Sequence, residues 1–147
     1  MKKILAVLLS GIFLFGCAAP LSSMQRRTIE SRDLEGKFDD AFKATLQVFQ
    51  DYGYIVKGSD YQSGVIQGET GTKMGFMGIM TNLEITATLE QFGENTVKER
   101  LSLIKKVKTN SQYGVNENSQ IVDNPELFQK IYDDIQKEMF VRQNLSR

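Results

Sequence analysis

Apolar residues recur at spacings of three and four from Phe38 through Ala41, Phe42, Thr45, Leu46 and Phe49 to Tyr52. Asp39, Asp40, Lys43, Gln47 and Gln50 fall on the opposite side, so the pattern predicts an amphipathic helix over residues 34–52. Gly53 suits the left-handed position just past such a helix. The period then shortens to two. Leu83, Ile85, Ala87 and Leu89 alternate with Glu84, Thr86, Thr88 and Glu90, which marks a strand over 83–92 with one buried face. Gly93, Glu94 and Asn95 turn the chain, and residues 96–108, with Val97, Leu101 and Leu103 apolar, supply the antiparallel partner.

Weaker patterns fill the remainder. Residues 26–32 read as a first strand, and residues 54–57 and 64–70 as short strands around a turn at Gly58, Ser59 and Asp60. Residues 110–118 are polar and aperiodic, which predicts a loop. Asp123 or Asn124 can cap a last helix with Pro125 in its first position and Glu126 in its first turn. Phe128, Ile131, Tyr132, Ile135 and Met139 form its apolar stripe, and the basic residues after it suit the negative helix pole. The expected order is β-α-β-β-β-β-α. This is an α+β fold: a twisted antiparallel sheet of about five strands with two helices packed on one face.

Residues 71–82 mix glycines with Met74, Phe76, Met77, Ile79 and Met80. Such side chains adapt to apolar partners, so this hairpin is the candidate contact with a partner protein or with lipid. The alternative is that it folds back over the sheet. Lys98, Arg100, Lys105, Lys106 and Lys108 make a basic strand, suited either to anionic headgroups or to keeping a sheet edge from aggregating. Arg26 and Arg27 read as a solvated strand start. Asp39 and Asp40 are neighbours in sequence and so do not converge on one pocket. Asp60 is expected to organise a turn, and Tyr52, Tyr54 and Tyr61 to pack in the core or line a groove.

Composition narrows the chemistry. The chain has no histidine, no tryptophan and one cysteine, and its 18 basic residues balance 18 acidic ones. A balanced charge argues against nucleic acid, which needs a concentrated basic face. Without histidine, the commonest acid–base group near neutral pH and the commonest metal ligand are both missing. No catalytic residue, metal or cofactor is assigned.

The N-terminus decides the expected address. Lys2 and Lys3 precede an apolar run over residues 4–15, shorter than the roughly 20 residues a spanning helix needs. Leu14, Phe15 and Gly16 then lead to Cys17. This resembles the lipobox of bacterial lipoproteins, which implies cleavage between Gly16 and Cys17 and acyl chains, palmitate among them, on the cysteine. Lipidation also consumes a thiol that has no internal disulfide partner. The expected parts are a signal peptide over 1–16, a lipidated tether over 17–25 and one α+β domain over 26–147. A fully extended tether of eight residues reaches at most roughly 26–29 Å, which holds the domain close to the bilayer.

Phe49-Gln50-Asp51-Tyr52-Gly53-Tyr54, followed by Asp60-Tyr61-Gln62-Ser63-Gly64-Val65-Ile66, resembles a family of small bacterial lipoproteins, as does the closing stretch from Val122 to Phe140. The helix with its Gly-Tyr strand and Asp-to-Gly turn is similar, more loosely, to the helix-grip domains of the barrel-assembly lipoprotein NlpB. These motifs are structural and name no catalytic residue. With Ala18 and not Asp after Cys17, resemblance to sorted lipoproteins implies the periplasmic face of the outer membrane. The expected function is a non-enzymatic envelope module for binding or assembly, held to the membrane by its lipid, with envelope proteins as partners. The alternative is a periplasmic carrier of a small ligand or lipid, bound in a groove between helix and sheet.

Overall fold

The computed structural model describes residues 21–75, 79–111 and 114–145, so the signal segment, Gly16, Cys17, Phe76 and Met77 lie outside the described residues. The architecture is α+β with an antiparallel sheet. The described residues form seven strands and three helices, more than the five and two expected. In chain order these are α1 (Ser23–Glu30), β1 (Ser31–Glu35), α2 (Phe38–Asp51), β2 (Tyr54–Asp60), β3 (Val65–Thr70), β4 (Lys73–Met74), β5 (Ile79–Gln91), β6 (Thr96–Ser111), β7 (Gly114–Ile121) and α3 (Pro125–Leu145).

The extra strands come from sharing. The main path runs β1-β6-β5-β3-β2, while β7 also pairs with β6 and β4 with β5. Strand β6 serves β1 with residues 96–100 and β7 with residues 104–111 along one edge. Two groups bridge the gap between them. The Leu101 N–H donates to the Tyr132 hydroxyl at 3.2 Å, and the Val122 N–H donates to the Leu103 carbonyl at 3.0 Å. The Tyr132 hydroxyl in turn donates to the Glu30 carbonyl at 2.5 Å. Burial lifts the pKa of this phenol well above its ordinary range.

The core joins one face of the sheet to α2 and α3. Ile66, Ile85, Ala87, Leu89, Val97, Leu101 and Leu103 from the strands meet Phe42, Val48 and Phe49 from α2 and Phe128, Ile131, Ile135 and Met139 from α3. The two predicted stripes are therefore the ones buried. Gly53 closes α2 with a positive φ of 81°, and Asn124 caps α3 through its side chain, which accepts from the Leu127 N–H at 3.2 Å.

Four local expectations are corrected. Residues 26–30 are helical, not extended, because Ser22 and Gln25 form a capping box that starts a helix at Ser23, inside the expected tether. Leu34 belongs to β1, and α2 begins only at Phe38. Gly58, Ser59 and Asp60 continue β2, whose register shifts between Val56 and Gly58, and the turn follows them. Asp60 organises that turn as expected, accepting from the Gln62 N–H at 2.9 Å and the Ser63 hydroxyl at 2.8 Å. Finally, the polar stretch expected as a loop is largely β7, whose residues are all exposed.

Candidate functional site

Strands β5 and β6 outrun the helices. Their buried residues lie at 85–89 and 97–103, and none of the described side chains at 79–84 or 104–110 is buried. Beyond the core the sheet continues as a projecting wing of β4, β5, β6 and β7, with side chains reaching solvent on both faces. Met74, Gly75, Ile79 and Met80 lie at its far end. Met74 lies opposite Met80, and the Gly75 N–H donates to the Ile79 carbonyl at 2.7 Å, closing the hairpin on either side of residues 76–78. Met74 is 75% exposed and Ile79 40% exposed, while Met80 is half-buried. At Met74 and Ile79, therefore, the segment does not fold back as a cover over the core. Phe76 and Met77 lie outside the described residues.

The basic strand is not an edge. Strand β6 lies between β5 and the β1/β7 column, which overturns the reading of its lysines as edge protection. Pleating divides the charges: Lys98, Arg100, Lys106 and Lys108 share the side away from α2 and α3, and Lys105 the other. Acids answer several of them. Arg100 pairs with the buried Glu30 at 2.9 Å, Lys106 with Glu84 at 2.5 Å and Lys108 with Glu117 at 3.3 Å. The result is a sheet face laced with ion pairs, not a uniform cationic surface.

The other singled-out residues are dispersed. Arg26 forms a two-pronged bond to Asp123, Nε to Oδ1 at 2.8 Å and Nη2 to Oδ2 at 2.9 Å, fastening α1 to the start of α3. Asp39 pairs with Lys43 one turn on at 2.7 Å, and Asp51 accepts from Gln47. The three tyrosines line no common groove. Tyr54 is in the core. Tyr61 packs edge-on to Phe38 and Phe42. The Tyr52 hydroxyl donates to Asp134 at 2.8 Å, and burial, with help from that carboxylate, pushes its pKa up to about 12. Among the described residues, no group of three or more His, Cys, Asp or Glu is placed to hold a metal ion. No described helix is long and apolar enough to cross a membrane.

Two features went unread in the sequence. An open groove of about 580 Å³ runs between β1 and α3, lined by Arg32, Leu34, Glu35, Tyr132, Gln136 and Phe140 among others. It lies at the sheet edge, because the helix–sheet interface itself is filled by the core. The other feature is Glu99, wholly buried on the interior strand β6. Its Oε1 lies 2.9 Å from the Thr45 hydroxyl, and its Oε2 has no partner among the described residues. Burial pushes its pKa up to about 8, against a smaller opposing effect of Thr45. The alternation Val97, Glu99, Leu101, Leu103 already placed this acid inward.

No protein-family model matches the chain, and no curated protein matches it significantly.

Proposed function

We propose that the chain is a bacterial envelope lipoprotein, anchored by acyl chains on Cys17 at the periplasmic face of the outer membrane, and that it acts as a non-enzymatic module for binding or assembly. The contact surface is the wing tip at Met74, Ile79 and Met80, with Phe76 and Met77 in the same segment. The observation carrying this reading is the exposure of Met74 and Ile79 on a hairpin that projects past the core. Large flexible apolar side chains held in water cost free energy that a partner recovers, and Met adapts to varied apolar surfaces.

The early start of α1 shortens the tether this reading needs. With helix beginning at Ser23, fully extended chain between Cys17 and the helix spans at most about 20 Å, so an acylated Cys17 keeps the domain against the bilayer.

The test is co-purification of the lipidated chain with envelope proteins after mild detergent extraction. Replacing Met74 and Ile79 with Ser is expected to lose those partners while the protein stays in the membrane fraction. Cys17→Ser is expected to move it to the soluble fraction. Unchanged partners in the first variant, or unchanged membrane retention in the second, overturns the corresponding half of the proposal. The carrier reading points to the open groove beside β1, and bound lipid on the native protein, detected by mass spectrometry, would favour it.

A further inference from the structure

Among the described residues, β1, β2 and β7 each have an outward edge that meets no further strand, and two of the three carry a feature that hinders pairing. On β1, the Gln136 carboxamide imitates a neighbouring strand: the Glu35 N–H donates to its Oε1 at 3.0 Å and its Nε2 donates to the Glu35 carbonyl at 3.2 Å. On β2, the register shift between Val56 and Gly58 breaks the ladder. Strand β7 has neither device. Its eight residues pair with β6 without a break, all are exposed, and none is proline.

The ladder fixes which β7 groups point outward. The Leu101 N–H and Leu103 carbonyl lie on the β1/β7 side of β6, so the odd residues of β6 face that side. Their partners Asn116, Asn118 and Gln120 are the β7 residues bonded to β6. Val115, Glu117, Ser119 and Ile121 therefore turn their backbone N–H and C=O away from the sheet.

We infer that β7 pairs antiparallel with β7 of a second copy of this chain, about a two-fold axis through Asn118. Two features select this register among those that set outward residues opposite one another. It sets Val115 opposite the copy's Ile121 and Glu117 opposite its Ser119, so every facing pair of outward residues is one that can exchange hydrogen bonds. It joins Val115 and Ile121, 67% and 51% exposed, as cross-strand apolar pairs on the same sheet face. It also keeps the acids apart. Glu117 lies between Lys108 on its own β6 and the copy's Ser119, beyond which stands the copy's Lys106. Shifting the axis to Glu117 would set the two carboxylates against each other. An edge this short buries less than the roughly 800 Å² per partner of a standard complex. The pairing is consequently weak in dilute solution and favoured where an anchor confines copies to one surface.

Cysteine crosslinking of the full chain in native membranes tests the register. At the axis the two copies of residue 118 form a non-hydrogen-bonded pair about 4.5 Å apart at Cα, within disulfide reach. Asn118→Cys is expected to give a disulfide-linked dimer under mild oxidation, at least tenfold above Asn116→Cys, which lies on the same face but about 13 Å from its counterpart by strand rise. Adding Ser119→Pro removes an outward N–H without touching the bonds to β6, and is expected to abolish the dimer while circular dichroism is kept. The unmodified chain, which retains Cys17, gives the background. Dimers in that control report an unacylated Cys17 and count against the anchor, not against the β7 pairing. Equal yields at residues 116 and 118, or an adduct of Asn118→Cys with a different protein, would overturn the self-pairing.

Discussion

Thr45 and Glu99 meet inside the core, Oγ1 to Oε1, at 2.9 Å. The single Thr45 hydroxyl proton has another claimant, because the Ala41 carbonyl also lies 2.9 Å away, one helical turn back. If Thr45 donates to Ala41, Glu99 must supply the second proton, and a carboxylic acid whose pKa is pushed up to about 8 by burial can do so at neutral pH. With Glu99 protonated, the pair links α2 to β6 as a neutral chain of hydrogen bonds.

A pH dependence follows. The folded acid titrates near 8 and the unfolded one near its ordinary 4.5, so between those values the folded state holds the extra proton. Stability is full below about 4.5 and falls as pH rises toward 8. Glu99→Gln, neutral throughout, is expected to match the unmodified chain near pH 5 and exceed it above pH 8 by on the order of a few kcal/mol. Equal slopes of urea-unfolding free energy against pH for the two proteins would refute a neutral buried Glu99.

Tyr132→Phe tests the bridge across the split edge of β6. The hydroxyl serves both the Leu101 N–H and the Glu30 carbonyl, and the ring itself is buried. Phenylalanine keeps the packing and strands both backbone groups. The expected loss is about 1–3 kcal/mol in urea unfolding with an unchanged m-value.

The legible parts of this chain were those where one face meets the core. The stripe from Phe38 to Tyr52, the alternation from Leu83 to Leu89 and the Asn124-Pro125 start of α3 all reappear, because burial imposes a period on sequence. Strand β7 was illegible for the converse reason. Gly114 to Ile121 bury neither face, so backbone pairing with β6 holds them without any apolar rhythm. Helix α1 escapes the periodic pattern because residues 26–32 hold few apolar positions, although Ser22 and Gln25 carry the spacing of a capping box. At the wing, the sequence pointed to Met74 and Ile79 through residue type. Their exposure depends on how far β5 and β6 extend past α2 and α3, which no local pattern encodes.

Gly64 is expected to be the least replaceable glycine among those with described surroundings. Its φ is 68°, and a Cβ there would lie 2.1 Å from the Leu89 carbonyl oxygen, which is backbone and cannot swing aside. Gly93 has a similar φ of 84° but open space around it. Gly93→Ala should cost about 1–2 kcal/mol from backbone strain alone, and Gly64→Ala distinctly more. Urea midpoints of the two variants measure the difference, and equal losses would remove the role assigned to the close approach.

Arg26→Ala probes how α1 is held. The helix has two ties, the Arg26–Asp123 bond to the start of α3 and the buried Glu30 with its partner Arg100. The first lies mid-helix and the second one turn on, at the last residue of α1, where Ile29 packs on the core beside it. Cutting the first should release the N-terminal turn while the second still holds Glu30, where the Tyr132 hydroxyl also bonds the backbone. The expected result is severalfold faster amide exchange at residues 25–28, little change at residues 30–35, and a thermal midpoint within a few degrees of the unmodified chain. Asp123→Asn, which removes the charge but keeps an acceptor, should give a smaller effect at the same amides. Faster exchange spread evenly over α1 and β1 would mean that the whole segment docks as one unit and that Arg26 is its principal tie.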